Sequence, residues 1–276
     1  MTGSSAVRIG PVPVGGGALT VVAGPCVIES EEMVLDTAGF LADLCRELGV
    51  GFVLKSSYIK ANRTAGDSFR GPGIDEGLAV LARVKHHVGC PLLVDVHETH
   101  EVPAAAAAAD ALQIPAFLCR QTALLEAAGR SGRPVNIKKG QFLAPDDMAF
   151  AARKVERAGG VGVMLTERGT FFGYHDLVVD MRGLLRMRSL GYPVLFDATH
   201  STQSPGGLTG RSGGDRSLAE PLARAAASLG VDGIFMEVHP SPDDARSDAA
   251  AQLDFAGARR LLTGVLAVRA ALRDHP

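Results

Sequence analysis

The 276-residue chain has no tryptophan, only three tyrosines and four cysteines, and no marked excess of either charge: 28 Lys+Arg against 30 Asp+Glu give a net charge of -2. A dedicated nucleic-acid or membrane-surface binder carries a basic excess, so that balance argues against both partners. The cysteines (Cys26, Cys45, Cys90 and Cys119) include no CxxC pair, which excludes a zinc ribbon, and they are too few for a disulfide framework. No apolar run approaches the roughly 20 residues of a membrane helix. The start, MTGSSAVRIG, lacks a basic segment followed by an apolar one, so the expected location is the reducing cytoplasm. No GxGxxG follows the first strand-like run, which weakens a dinucleotide-binding reading.

What is present is a chain 46% hydrophobic, long enough for a large core and undivided by any linker. Eight short apolar runs recur: 20–26, 51–57, 91–97, 111–116, 134–140, 161–168, 193–200 and 233–239. They are nearly continuous rather than alternating, as parallel strands buried on both faces are. Helical patterns lie between them. Val34, Ala38, Leu41, Leu44 and Leu48 share a helix face that Ser30 can cap and Gly49 can end. Pro145-Asp146-Asp147 starts another helix, and 253–272 reads as the closing one. The expectation is an α/β fold, one (β/α)8 TIM barrel spanning 1–276 with a short N-terminal extension at 7–14; an open doubly wound sheet is the rival. The glycine-rich stretch 201–216 reads as a surface loop placed to act as a lid.

Polar residues gather where these runs end. Cys26 ends the first run, Lys55 the second, with Lys60, Asn62 and Arg63 just beyond it. Asp95 and His97 end the third, Lys138 and Lys139 the fifth, Arg168 the sixth, His200 the seventh, and Glu237 and His239 the eighth. In a barrel these C-terminal ends converge on one mouth, where such enzymes do their chemistry. Two chemistries can be read there. Lys55, Lys60, Arg63, Lys138 and Arg168 form a cationic cluster suited to phosphate and carboxylate groups, unless they point to solvent. Cys26, His200 and Glu237, with a loop carboxylate such as Asp248, form a mixed donor set suited to zinc, iron or manganese. Cys26 alone reads more readily as a small buried residue, and His200 alone as an acid/base or a hydrogen-bonded structural histidine.

The motifs AGPCVIES (23–30), KSSYIKANRT (55–64), SFRGPG (68–73), IPAFLCRQT (114–122), VNIKKGQF (135–142), LTERGTFFGY (165–174), DATHSTQSPGG (197–207) and MEVHPSPDDARSD (236–248) resemble those of the 3-deoxy-D-manno-octulosonate 8-phosphate synthases along essentially the whole barrel. The resemblance implies a cytoplasmic homotetramer that condenses phosphoenolpyruvate with D-arabinose 5-phosphate for lipopolysaccharide synthesis. It implies that Lys60, Lys138 and Arg168 hold phosphoenolpyruvate, with Lys55 nearby. Asn62, Arg63 and Thr64 would receive the aldose phosphate, and Asp95 and Gln113 would lie near the sugar hydroxyls and the phosphoenolpyruvate pocket. Arg120 would reach into a neighbouring subunit. Lys60, Lys138, His200 and Asp248 would take the catalytic roles. The family has forms with cysteine or asparagine at the first-strand position; Cys26 resembles the metal-dependent form, with His200, Glu237 and Asp248 as the other ligands of a Zn, Fe or Mn ion. The nearest relatives, the 3-deoxy-D-arabino-heptulosonate 7-phosphate synthases, typically have KPRT where this chain has Lys60-Ala61-Asn62-Arg63. A catalytically silent barrel and a metal-dependent phosphatase are the readings from other classes.

Overall fold

The computed structural model describes residues 6–60, 69–171, 175–208 and 211–274. All eight apolar runs become strands: β1 (Thr20–Gly24), β2 (Gly51–Ser56), β3 (Leu92–Asp95), β4 (Ala111–Ile114), β5 (Val135–Lys138), β6 (Val163–Glu167), β7 (Val194–Asp197) and β8 (Gly233–Glu237). They pair in parallel and close into a barrel, β8 joining β1 from Gly233↔Thr20 to Glu237↔Gly24. The open-sheet rival is thereby excluded. The helices are α1 (Glu31–Glu47), α2 (Ile74–Val88), α3 (Val102–Ala108), α4 (Thr122–Arg130), α5 (Met148–Arg157), α6 (Met181–Ser189), α7 (Ala219–Ser228) and α8 (Phe255–Asp274).

Local chemistry sets the helix ends. Ser30 accepts from the Met33 amide at 3.1 Å, Glu31 and Glu32 occupy the first turn of α1, and Gly49 follows the helix at φ +67°. Pro145–Asp147 forms a 3-10 turn that leads into α5. The last helix starts at Phe255, two residues after the sequence pattern suggests, because Leu253 bridges to Val238 and Asp254 accepts from the Gly257 amide at 2.6 Å.

The extension at 7–14 is an antiparallel hairpin, Val7–Ile9 with Val12–Val14. Val7, Ile9 and Val14 pack on Val22, Val53, Leu93, Met164, Leu195 and Phe235, the lowest inward-facing side chains of the barrel. The hairpin therefore plugs the end opposite the mouth, at about 1.5–3 kcal/mol for each large side chain it buries. Outward-facing strand residues make a second core with the helices.

The stretch read as a lid loop has regular structure. After a 3-10 turn at His200–Thr202, Gln203–Leu208 and Arg211–Gly214 pair as an antiparallel ribbon. Its glycines hid the strands from a propensity reading.

Candidate active site

Strand alternation builds the site. Two residues above each apolar side chain of the barrel floor stands a polar one: Lys55 above Val53, Asp95 above Leu93, Gln113 above Ala111, Asp197 above Leu195 and Glu237 above Phe235. On β1 that position is Gly24, where a Cβ would lie 2.2 Å from the Lys55 carbonyl oxygen, so only glycine lets the two strand ends approach.

From β2 to β6 the inward side chains form one hydrogen-bonded chain. Lys55 Nζ lies 2.9 Å from Asp95, and Gln113 donates to Asp95 at 2.7 Å. Asn136 donates to Gln113 at 2.7 Å, and Thr166 donates to Asn136 at 2.8 Å. Ser57 also donates to Asp95 in a short contact. Burial alone raises the Asp95 carboxyl, but Lys55, His97 and Lys60 outweigh it and hold it far below its usual range. The chain of donors fixes both amides, as buried polar groups require.

Across the mouth, Asp197 is fully buried and serves two partners. Lys138 Nζ approaches to 2.5 Å and His200 Nδ1 to 2.8 Å, while the His200 amide donates at 2.9 Å. Lys138 also lies 3.7 Å above the centre of the Phe235 ring. With Nδ1 turned to Asp197, Nε2 is the His200 nitrogen left for a ligand, and it stands 3.5 Å from Glu237 Oε1.

The donor set converges on β1 and β8. Cys26 Sγ and carboxylate oxygens of Glu237 and Asp248 lie within 4.8 Å of one another. His200 lies outside that group and comes within 3.5 Å of Glu237. Asp248 holds a left-handed backbone, φ +51°, that aspartate tolerates better than most residues. Cys26 Sγ lies 3.0 Å from Asp248 Oδ2 and 3.1 Å from Ser247 Oγ. Burial, then the charges of Asp248 and Glu237, push the Cys26 thiol well above its usual value. Glu237 Oε1 is buried with no hydrogen bond of its own. A soft donor, an imidazole and two carboxylates, one with an unsatisfied oxygen, suit a divalent ion.

Lys60 Nζ lies 3.7 Å from Glu237 and 3.6 Å from Asp248. Arg168 donates to Gln203 at 2.8 Å, and Gln203 donates to Asp248 at 3.0 Å. The described members of the cationic cluster therefore stand among carboxylates rather than alone. Lys55, Lys60, Lys138 and Arg168 face Asp95, Asp197, Glu237 and Asp248, four charges against four.

Lys139, next to Lys138, is outside the mouth on the outer wall with Glu167. Arg120 is exposed on the connection after β4. Asn62, Arg63 and Thr64 lie outside the described residues. Asp197 and Gln203 were missed as site residues; alternation from Leu195 points to Asp197, whereas nothing in the sequence marks Gln203.

Fold and mouth together define a (β/α)8-barrel enzyme built for small anionic substrates. Comparison with known proteins agrees. Residues 5–269 match the model of the DAHP synthetase I family. The 2-dehydro-3-deoxyphosphooctonate aldolase of Desulfatibacillum aliphaticivorans is 54% identical over 256 residues, covering 93% of this chain and 94% of that protein. That of Trichlorobacter lovleyi is 53% identical over 268 residues, covering 97% and 98%. That of Magnetococcus marinus is 56% identical over 244 residues, covering 88% and 85%. The chain belongs to the DAHP synthetase I family, among the 2-dehydro-3-deoxyphosphooctonate aldolases.

Proposed function

We propose that the chain condenses phosphoenolpyruvate, D-arabinose 5-phosphate and water to 3-deoxy-D-manno-octulosonate 8-phosphate and inorganic phosphate, a cytoplasmic step of lipopolysaccharide synthesis. The observation that carries the reading is the meeting of Lys60, Lys138 and Arg168 with the Cys26, Glu237 and Asp248 donor set at one mouth. Relatives named 2-dehydro-3-deoxyphosphooctonate aldolase at 53–56% identity favour it over the heptulosonate reaction, to which only the broader family description points.

Lys60, Lys138 and Arg168 grip the phosphate and carboxylate of phosphoenolpyruvate so that its carbon 3 faces the aldehyde. Carbon 3 attacks the aldehyde carbon, whose oxygen takes a proton, and carbon 2 gains cationic character. Water adds to carbon 2 and gives up a proton, and the resulting hemiketal phosphate loses inorganic phosphate by C–O cleavage. His200 and Asp248 stand where those protons are exchanged. Lys55, Asp95 and Gln113 present fixed donors and acceptors beneath the reactants. Asn62, Arg63 and Thr64 take the aldose phosphate.

Cys26, His200, Glu237 and Asp248 would hold a Zn, Fe or Mn ion, which supplies Lewis acidity toward the aldehyde or the water. Among the described residues, the balance of Lys55, Lys60, Lys138 and Arg168 against four carboxylates supports such an ion. A doubly charged cation would leave the mouth net positive, as binding two phosphorylated substrates requires.

The working unit is a homotetramer, with Arg120 completing a neighbour's phosphate site. Phe117 and Phe142 are 46% and 48% exposed on the connections after β4 and β5, apolar area that an interface would cover. Light scattering that finds a fully active monomer refutes this. No helix among the described residues is long and apolar enough to cross a membrane. The decisive test of the reaction is phosphate release from phosphoenolpyruvate with arabinose 5-phosphate and with erythrose 4-phosphate, each with and without chelator. Release without any aldose identifies a phosphatase, and preference for erythrose 4-phosphate identifies a heptulosonate synthase.

A further inference from the structure

Behind the mouth, on the outer wall of the β5–β6 seam, Lys139 and Glu167 form an ion pair at 3.5 Å with exposures of 1% and 3%. Alternation puts Lys138 inward and Lys139 outward on one strand, Glu167 outward and Arg168 inward on the other. The corresponding outer positions beside Asp95, Asp197 and Glu237 are Val96, Ala198 and Val238, all apolar and fully buried. A buried ion pair is no more stabilising than a well-packed apolar pair of similar size. Core packing therefore does not explain why this seam differs.

The hydrogen bonds do. Glu167 Oε1 accepts from the amides of Arg168 at 3.1 Å and Gly169 at 2.7 Å, which sets the turn where Arg168 enters the mouth. Lys139 Nζ donates to the carbonyls of Gly140 at 3.3 Å and Leu143 at 3.4 Å and to the Thr170 hydroxyl at 3.1 Å, gathering the chain that follows Lys138. The Lys139 amide donates to the Thr166 carbonyl at 2.8 Å and closes the seam. Each member thus holds the backbone beside one inward cation, and the ion pair joins the two.

We infer that Lys139 and Glu167 are positioning residues that set the spacing of Lys138 and Arg168 for phosphoenolpyruvate. The inference rests on the reading that those two cations bind it. Through-space electrostatics give a diagnostic sign. Glu167→Gln removes a negative charge from behind an anion site, which by charge alone tightens binding. Loss of positioning weakens it.

The test is calorimetric titration of phosphoenolpyruvate into the metal-supplied chain, with KM and kcat measured in the condensation assay. Glu167→Gln is expected to raise the Kd about ten-fold. KM for phosphoenolpyruvate should rise in step and KM for the aldose phosphate by less than about two-fold. The double variant Lys139→Met with Glu167→Leu replaces the pair by apolar groups, leaves no lone buried charge, and should show the same ten-fold loss while still folding, with Tm lowered by the backbone hydrogen bonds it gives up. Wild-type chain that binds phosphoenolpyruvate while either folded variant binds within two-fold, or tighter, overturns the positioning role alone. If neither variant folds, the pair is purely structural and the role falls. Wild-type chain that binds no phosphoenolpyruvate overturns the functional reading and this inference together.

Discussion

Asp197→Asn tests the other arrangement that orients the mouth. Asp197 is 0% exposed and takes the Lys138 ammonium at 2.5 Å and His200 Nδ1 at 2.8 Å. The substitution is nearly isosteric, so it leaves no cavity; what it removes is the counter-charge of a buried lysine. Breaking a buried pair from one side costs about 3–5 kcal/mol. Lys138 can limit that cost by giving up its proton, which from an ordinary pKa of about 10.4 to pH 7 takes ~4.6 kcal/mol. Either route gives a similar loss, and at about 2–4 °C per kcal/mol the expected fall in Tm is roughly 6–20 °C. A second effect is on His200. Asparagine can present an N–H to Nδ1, which moves the imidazole proton to Nε2, the nitrogen facing Glu237, and removes its lone pair from the ligand set. Differential scanning calorimetry gives the first readout and competition with a chromophoric chelator for Mn²⁺ or Zn²⁺ the second. A variant that melts within about 2 °C of wild type and binds the ion with unchanged affinity would refute both steps.

Three further outcomes follow from the site and its neighbours. Arg63→Ala is expected to raise KM for arabinose 5-phosphate at least ten-fold while KM for phosphoenolpyruvate moves little, since a guanidinium grips phosphate bidentately; equal effects on both substrates count against the assignment. Stripping the divalent ion should abolish turnover and leave the fold largely intact, because none of its four proposed ligands belongs to either hydrophobic core; full turnover at below one-tenth occupancy in chelator disproves the dependence. Glu101, which ties the Tyr58 hydroxyl at 2.8 Å to the His97 and Glu98 amides, contributes to acid stability. Burial raises its carboxyl, but hydrogen bonds from His97, Tyr58 and Glu98 outweigh that and bring it from 4.5 to about 2. Its folded value lies below its unfolded one, so it contributes roughly 3 kcal/mol in full above pH 4.5, lost as pH falls toward 2. The stability gap between wild type and Glu101→Gln should close across that window, and a gap independent of pH contradicts it.

The barrel was legible because its strands are buried on both faces. A parallel strand covered by helices outside and side chains inside has no polar face to interrupt it, so it reads as one apolar run. The change to polar residues at the run ends marks where cover gives way to the mouth. That is why Lys55, Asp95, Lys138, Arg168 and Glu237 could be picked out one strand at a time. Lys139 shows the limit of that reading. It stands beside Lys138 in the chain, yet alternation sends it through the wall to Glu167, and nearness to a run end does not record the side.

Pairing was less legible than position, because it depends on register between strands far apart in sequence. Lys138 and Asp197 are 59 residues apart, and Arg168 reaches Asp248 through Gln203, on a ribbon whose glycines conceal that it is paired at all. Read as residue types, the mouth is an excess of cations awaiting anions. Read with its pairings, each described lysine of the mouth lies near a carboxylate, and Arg168 reaches one through Gln203, its Nη1 buried without a hydrogen bond. The consequence is mechanistic. Substrate phosphate therefore competes with Asp197, Glu237 and Asp248 for Lys138 and Lys60, while Arg168 Nη1 stands open to it. A cation placed on Cys26, Glu237 and Asp248 would occupy two of those carboxylates and release Lys60 and Arg168 toward the substrate. Metal dependence and anion affinity are then one electrostatic problem, and Asp197, which no metal relieves, is left to hold Lys138 in place.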